Sequence, residues 1–287
     1  MSGRVSAVFP RLTAALLSAL LALAVLDRAV AFFDLTYTPA RGRPNEEQRI
    51  ERAEFSVDVR LNALGFRERR LPSPKPPGVL RVVALGDSFT EGYGVEENEA
   101  WPRRLEAALD ARDGGRHEVV NLGVPGTNPR DYVSHLQDPG LAYEPDMVIV
   151  TVMANDAQDR DLGRIVTLAR GAGARPVLVF APAAQQVTAA ARPYLESLGF
   201  AWDDRALTDT TFVDRLRAFA RSEDVPFVNL LPVLRARRDD GLYFPKDGHC
   251  NSAGHEVVAD VIAGALERTE RDGTHPSRRA SAAGAAR

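Results

Sequence analysis

After Gly78 the chain falls into short, continuous apolar runs separated by amphipathic stretches. Val79 to Leu85, VLRVVAL, is the first run and stops at Gly86. Val119 to Leu122 is the second and stops at Gly123; Met147 to Met153, MVIVTVM, follows a Pro145-Asp146 turn. Pro176 to Phe180 and Pro226 to Leu230 complete the set. Runs this short and apolar throughout predict strands covered on both faces. Between them, Trp101 to Ala111 places Leu105 and Leu109 on one face of a helix. Further helices are predicted over Arg130 to Gln137, around Ile165 to Ala169 (ended by GAGARP, 171–176), and over 188–198 and 210–222. A last helix runs from Asn251 or Ser252, either of which can cap it, toward Arg268. Strands alternating with helices mean βαβ units. The expected fold is therefore α/β: a three-layer, flavodoxin-like α/β/α domain over residues 79–270 with a parallel five-stranded sheet.

The flanks read differently. Arg4 and Arg11 precede LTAALLSALLALAVL (12–26), and Asp27-Arg28 separates this run from Ala29-Val30-Ala31. A bilayer span needs ~20 apolar residues, and Val5 to Phe33 is long enough. We read residues 1–33 as an uncleaved signal anchor, with a cleavable signal peptide as the alternative. Positive charges before the span place the remainder outside the cytoplasm. Residues 34–78 are punctuated by prolines and end in LPSPKPPG (71–78), which predicts a stiff linker. Within it, FSVDVRLNALGF (55–66) alternates as a short strand or hairpin does. The tail over 271–287 lacks apolar anchors and is expected to be disordered.

Composition narrows the function classes. The net charge of −3 provides no global attraction for nucleic acid or an anionic membrane. The single cysteine, Cys250, excludes an intrachain disulfide and leaves no Cys/His zinc spacing. Asp156, Asp159 and Asp161 cluster without a histidine, which reads as a solvated loop, so neither a metal nor another cofactor is expected.

In open parallel sheets, ligands bind beyond the carboxyl ends of the strands. Those ends carry Gly86-Asp87-Ser88, Asn121 to Gly126, and Asn155-Asp156; Asp247-Gly248-His249 precedes the last helix. Ser88, directly after a strand and a glycine, can raise its hydroxyl above the sheet, while Asp87 can cap the helix that follows. A serine hydroxyl needs a base, and His249 is the best placed of five histidines. Asp247, two residues earlier, can orient the imidazole. His255 and Cys250 read as structural, Cys250 as a small buried hydrophobe.

These residues resemble the SGNH/GDSL hydrolases. VVALGDSFTEG (82–92) is similar to the family's first block, whose serine is the nucleophile. NLGVPGTN (121–128) is similar to the second, whose glycine lends an oxyanion N–H; the resemblance points to Gly126, with Gly123 as a rival. MANDAQD (153–159) is similar to the third, whose asparagine supplies another donor, here Asn155. DGHCNSAGH (247–255) is similar to the block carrying the catalytic Asp and His. RLNALGFRE and GYGVEENEAWP look like membrane-anchored bacterial members. Two positions depart from the pattern: Met153 stands where the family has glycine, and Asp247 and His249 are spaced D-x-H instead of D-x-x-H.

The resemblance implies a serine esterase acting through an acyl-serine intermediate, with Ser88, Asp247 and His249 catalytic and Ser88, Gly126 and Asn155 forming the oxyanion hole. It suggests O-acetyl or other acyl esters of carbohydrate or lipid as substrates. The alternatives are an O-acyltransferase acting on envelope or extracellular polysaccharide, and a non-catalytic glycan-binding module. The expected setting is periplasmic or extracellular, tethered to the membrane by the N-terminal helix.

Overall fold

The structure is a computed structural model that describes residues 40–154 and 159–271. The expected signal anchor over residues 1–33, the tail beyond residue 271, and Asn155 and Asp156 lie outside the described residues. Among the described residues, no helix is long and apolar enough to cross a membrane.

All five apolar runs form strands of one parallel sheet: β3 (Val79–Gly86), β4 (Arg116–Gly123), β5 (Met147–Val152), β6 (Arg175–Phe180) and β7 (Phe227–Asn229). Their spatial order is β4-β3-β5-β6-β7, the arrangement of a flavodoxin-like sheet. Every residue of β5 is buried, because helices cover both faces. In the register, Gly86 of β3 lies beside Gly123 of β4. The two segments that leave these strands therefore start side by side at one rim.

The helices are α1 (Ser88–Glu91), α2 (Trp101–Asp113), α3 (Pro129–Gln137), α4 (Asp159–Gly171), α5 (Ala184–Val187), α6 (Arg192–Ser197), α7 (Thr211–Ser222), α8 (Leu231–Ala236) and α9 (Ser252–Arg271). α9 packs on α2, and α3 on α4. The single helix expected over 188–198 is instead a short α6, because Pro193 can occupy only its first turn.

Residues 40–78 differ from the expected linker. They belong to the same compact unit as the sheet, which begins at Ala40. β1 (Glu47–Glu51) and β2 (Ser56–Arg60) form an antiparallel hairpin, with Glu47 opposite Arg60. Phe55, Val57 and Val59 on its inner side build a second small core with Tyr93 and Phe244. Phe66 joins the main core, and Arg67 and Glu68 are buried beside it. Arg67 donates to the carbonyls of Gly92 (2.8 Å) and Asp58 (3.1 Å), so its charge is placed against backbone dipoles. The anchoring of this segment comes from Phe66, Arg67 and Glu68.

Candidate active site

Asp87 closes β3 and caps α1. Its Oδ1 accepts the Phe89 N–H at 2.9 Å, as expected from the sequence. Burial pushes its carboxyl above the ordinary carboxylate range, with the Phe89 N–H and the nearby His249 opposing. This turn leaves Ser88 half-buried, and Ser88 Oγ lies 2.9 Å from His249 Nε2. His249 Nδ1 lies 2.5 Å from Asp247 Oδ1. A carboxylate can only accept, so Nδ1 carries the proton and Nε2 is left to accept from the Ser88 hydroxyl. The D-x-H spacing thus brings the carboxylate to the imidazole: Gly248 takes a left-handed φ of 86°, which lets the chain reverse within one residue.

The loop carrying both groups is a tight turn. The Phe244 N–H donates to His249 O at 2.9 Å, and the Gly248 N–H to Phe244 O at 2.8 Å. Tyr93 packs its ring on His249 with centroids 4.7 Å apart. The Glu54 carboxylate, from the β1–β2 turn, accepts the N–H groups of Lys246 (2.9 Å) and Asp247 (2.8 Å). Sequence reasoning did not single out Glu54 or Tyr93. Neither sits in a motif that names a role, and Glu54 is 193 residues from Asp247 along the chain.

The two glycines named for the oxyanion are now distinguishable. The Gly123 N–H donates to Asn121 Oδ1 at 3.0 Å and is buried. Gly126 is exposed, and a Cβ there would meet nothing within 4 Å. Its N–H donates to no group among the described residues. Met153, which precedes the undescribed Asn155, is partly buried against the main core.

Nearby polar groups are held out of the chemistry. His255 is buried, and its Nδ1 accepts the Trp101 N–H at 3.2 Å; burial pushes its pKa down to about 3. Burial pushes the Cys250 thiol up to about 12, so it is not a thiolate. Asp159 pairs with Arg215 and Asp161 with Arg164.

A family model described as the GDSL-like lipase/acylhydrolase family matches residues 84–257. An acetylxylan esterase of Xylanibacter ruminicola is 24% identical over 237 residues, covering 73% of this chain and 48% of that protein. An arylesterase of Vibrio mimicus is 25% identical over 107 residues, 34% of this chain and 53% of that protein. The chain thus spans about half the length of these curated relatives. The lipase/acylhydrolase of Enterococcus faecalis shares the fold, with a TM-score of 0.51 at 19% identity over 66% of this chain and 96% of that one.

Proposed function

The chain belongs to the GDSL-like lipase/acylhydrolase family, and from that premise we propose that it is a serine ester hydrolase working through an acyl-serine intermediate. The observation that carries this reading is the unbroken relay from Ser88 Oγ through His249 to Asp247, with spacings of 2.9 and 2.5 Å.

Ser88 Oγ attacks the ester carbonyl carbon as His249 Nε2 takes its proton. Asp247 stabilises the imidazolium that forms. The carbonyl π electrons move onto oxygen, where the N–H groups of Ser88 and Gly126 and the side-chain amide of Asn155 meet them; each such donor is worth ~10²–10³ in rate. Collapse expels the alcohol, which leaves with the proton from His249. Water then attacks the acyl-serine by the same steps in reverse roles, releasing the acid and restoring Ser88. The His249 side chain is 32% exposed. Water can therefore reach the acyl-enzyme and release the acid.

For the substrate we propose an acyl, foremost O-acetyl, ester of a carbohydrate, with lipid esters second; the name of the Xylanibacter relative supports this order. We further propose that the N-terminal apolar segment tethers the enzyme to the membrane, with the catalytic domain periplasmic or extracellular. The supporting observation is the apolar run preceded by Arg4 and Arg11.

The test is hydrolysis of p-nitrophenyl acetate and of acetylated xylan by the purified chain and by Ser88→Ala. Loss of the nucleophile should lower kcat by ~10⁴-fold or more. Its thermal unfolding should not move, since the half-buried hydroxyl bonds His249 across an open rim. Undiminished turnover by Ser88→Ala would remove Ser88 from its role.

A further inference from the structure

We infer that Glu54, in the turn of the N-terminal hairpin, is a positioning residue that sets the catalytic loop for the Asp247–His249 contact. The inference rests on the roles proposed above for Ser88, Asp247 and His249.

The loop from Phe244 to His249 satisfies its own backbone at both ends, through Phe244 N–H to His249 O and Gly248 N–H to Phe244 O. At its tip the N–H groups of Lys246 and Asp247 make no bond within the loop. Glu54 takes both: Oε2 lies 2.9 Å from Lys246 N and 2.8 Å from Asp247 N, and Oε1 lies 3.1 Å from Lys246 N. Hydrogen bonds to a charged acceptor are roughly twice as strong as neutral ones. The adjacent Phe55 reinforces the hold. Its ring packs on Phe244 with centroids 5.0 Å apart, and edge-on against Tyr93 at 5.4 Å. Tyr93 in turn packs on His249. The hairpin turn therefore grips the catalytic loop through a carboxylate on the Asp247 side and aromatic rings on the His249 side.

This grip matters because only Gly248 separates the acid from the base. With so short a connection, the orientation of the Asp247 backbone largely decides where its carboxylate lies relative to His249 Nδ1. Holding the Asp247 N–H fixes that orientation. The Glu54 carboxylate is occupied by backbone N–H groups and bonds neither Ser88 nor His249, so its effect passes through the loop.

The experiment compares Glu54→Ala, Glu54→Gln and Glu54→Asp, alone and combined with Asp247→Asn, in kcat and KM for p-nitrophenyl acetate and in thermal unfolding. Glu54→Ala should lower kcat by roughly 10²-fold, the effect expected of a catalytic group displaced by about 1 Å. KM should be nearly unchanged. Glu54→Gln keeps a carbonyl oxygen that can accept both N–H groups and should restore most of the rate. Glu54→Asp keeps the charge but is one methylene shorter, and should lose kcat by roughly tenfold. In the Asp247→Asn background the further loss from Glu54→Ala should be small, since both changes disable one unit. Wild-type kcat in Glu54→Ala, or losses that multiply fully with Asp247→Asn, would overturn the role even if Tm fell. Should Glu54→Ala not fold, Glu54→Asp decides on the same kcat and additivity readings. Ser88→Ala runs alongside: turnover lost there but kept in Glu54→Ala overturns only Glu54, whereas turnover kept in Ser88→Ala overturns the site and Glu54 with it.

Discussion

His249 bonds the Ser88 hydroxyl, and Glu91 ends the short helix that Ser88 begins, yet their surroundings give them opposite work. The His249 imidazole is half-exposed, fixed at Nδ1 by Asp247 and open at Nε2 to Ser88, so it can take and return a proton. Glu91 is buried in α1, and its Oε2 has no hydrogen-bond partner among the described residues. Burial pushes its carboxyl from 4.5 up to about 7, with Arg67 opposing. The folded state thus binds this proton more tightly than the unfolded chain does. The stability held by neutral Glu91 is complete below 4.5, declines as pH rises toward about 7, and is level above it. Glu91→Gln stays uncharged throughout. It should be more stable than the wild type at about pH 8, by up to roughly 3 kcal/mol. The difference should close near pH 5. Urea unfolding at both values checks this; an equal gap at both would assign the effect to packing instead of charge.

At the scale of elements, the contact of α1 with the end of β4 sets the nucleophile. A Cβ on Gly123 would lie 2.3 Å from the Glu91 backbone nitrogen, so only glycine lets the turn after Ser88 sit on this strand. Gly123→Ala must push α1 and Ser88 away. We expect a stability loss of about 1–3 kcal/mol, accompanied by a fall in kcat. Gly163→Ala, in α4 with open space at its Cβ, is the control and should be neutral or slightly stabilising. Denaturation midpoints and kcat for the pair separate the clash from a general effect of alanine. The outer edge of β4 shows a second device. The N–H groups of His117, Val119 and Asn121 project from the sheet edge, and Asp110, Glu106 and Glu68 accept them at 2.8, 2.8 and 2.5 Å. Carboxylates thereby occupy an edge that would otherwise be open to pairing with another chain.

At the scale of the molecule, this edge explains why residues 40–78 belong to the folded unit. Glu68 is bound between Asn121 and Arg103, and the buried Arg81 donates to Pro72 O at 3.0 Å as well as to Glu118. Beginning the chain at Val79 would remove Glu68, uncover the position of Phe66 and leave Arg103 and Arg81 short of partners. A chain starting at Ala40 should unfold cooperatively. One starting at Val79 should be insoluble or unfold at much lower urea, since losing one partner of a buried ion pair alone costs about 3–5 kcal/mol. Equal urea midpoints for the two would show that the segment contributes nothing to the fold.

The sequence by itself determined the parallel sheet, its longer helices and the rim where Ser88, Asp247 and His249 come together. Short continuous apolar runs alternating with amphipathic stretches predict buried parallel strands, and their glycine-marked polar ends emerge where those strands stop. It also named Ser88, Asp247 and His249, because their local motifs carry the chemistry within a few residues. It did not reveal β1, whose EQRIE is almost wholly exposed and has no apolar alternation to betray a strand. It preferred Gly126 to Gly123 only through a motif; what the fold adds is that the Gly123 N–H is already held by the Asn121 side chain, a contact that no local pattern announces. Whether a D-x-H loop can align its acid with its base was likewise decided in three dimensions. The backbone N–H groups that fix the loop are the same for every sequence, and the carboxylate that receives them comes from a turn almost two hundred residues away along the chain.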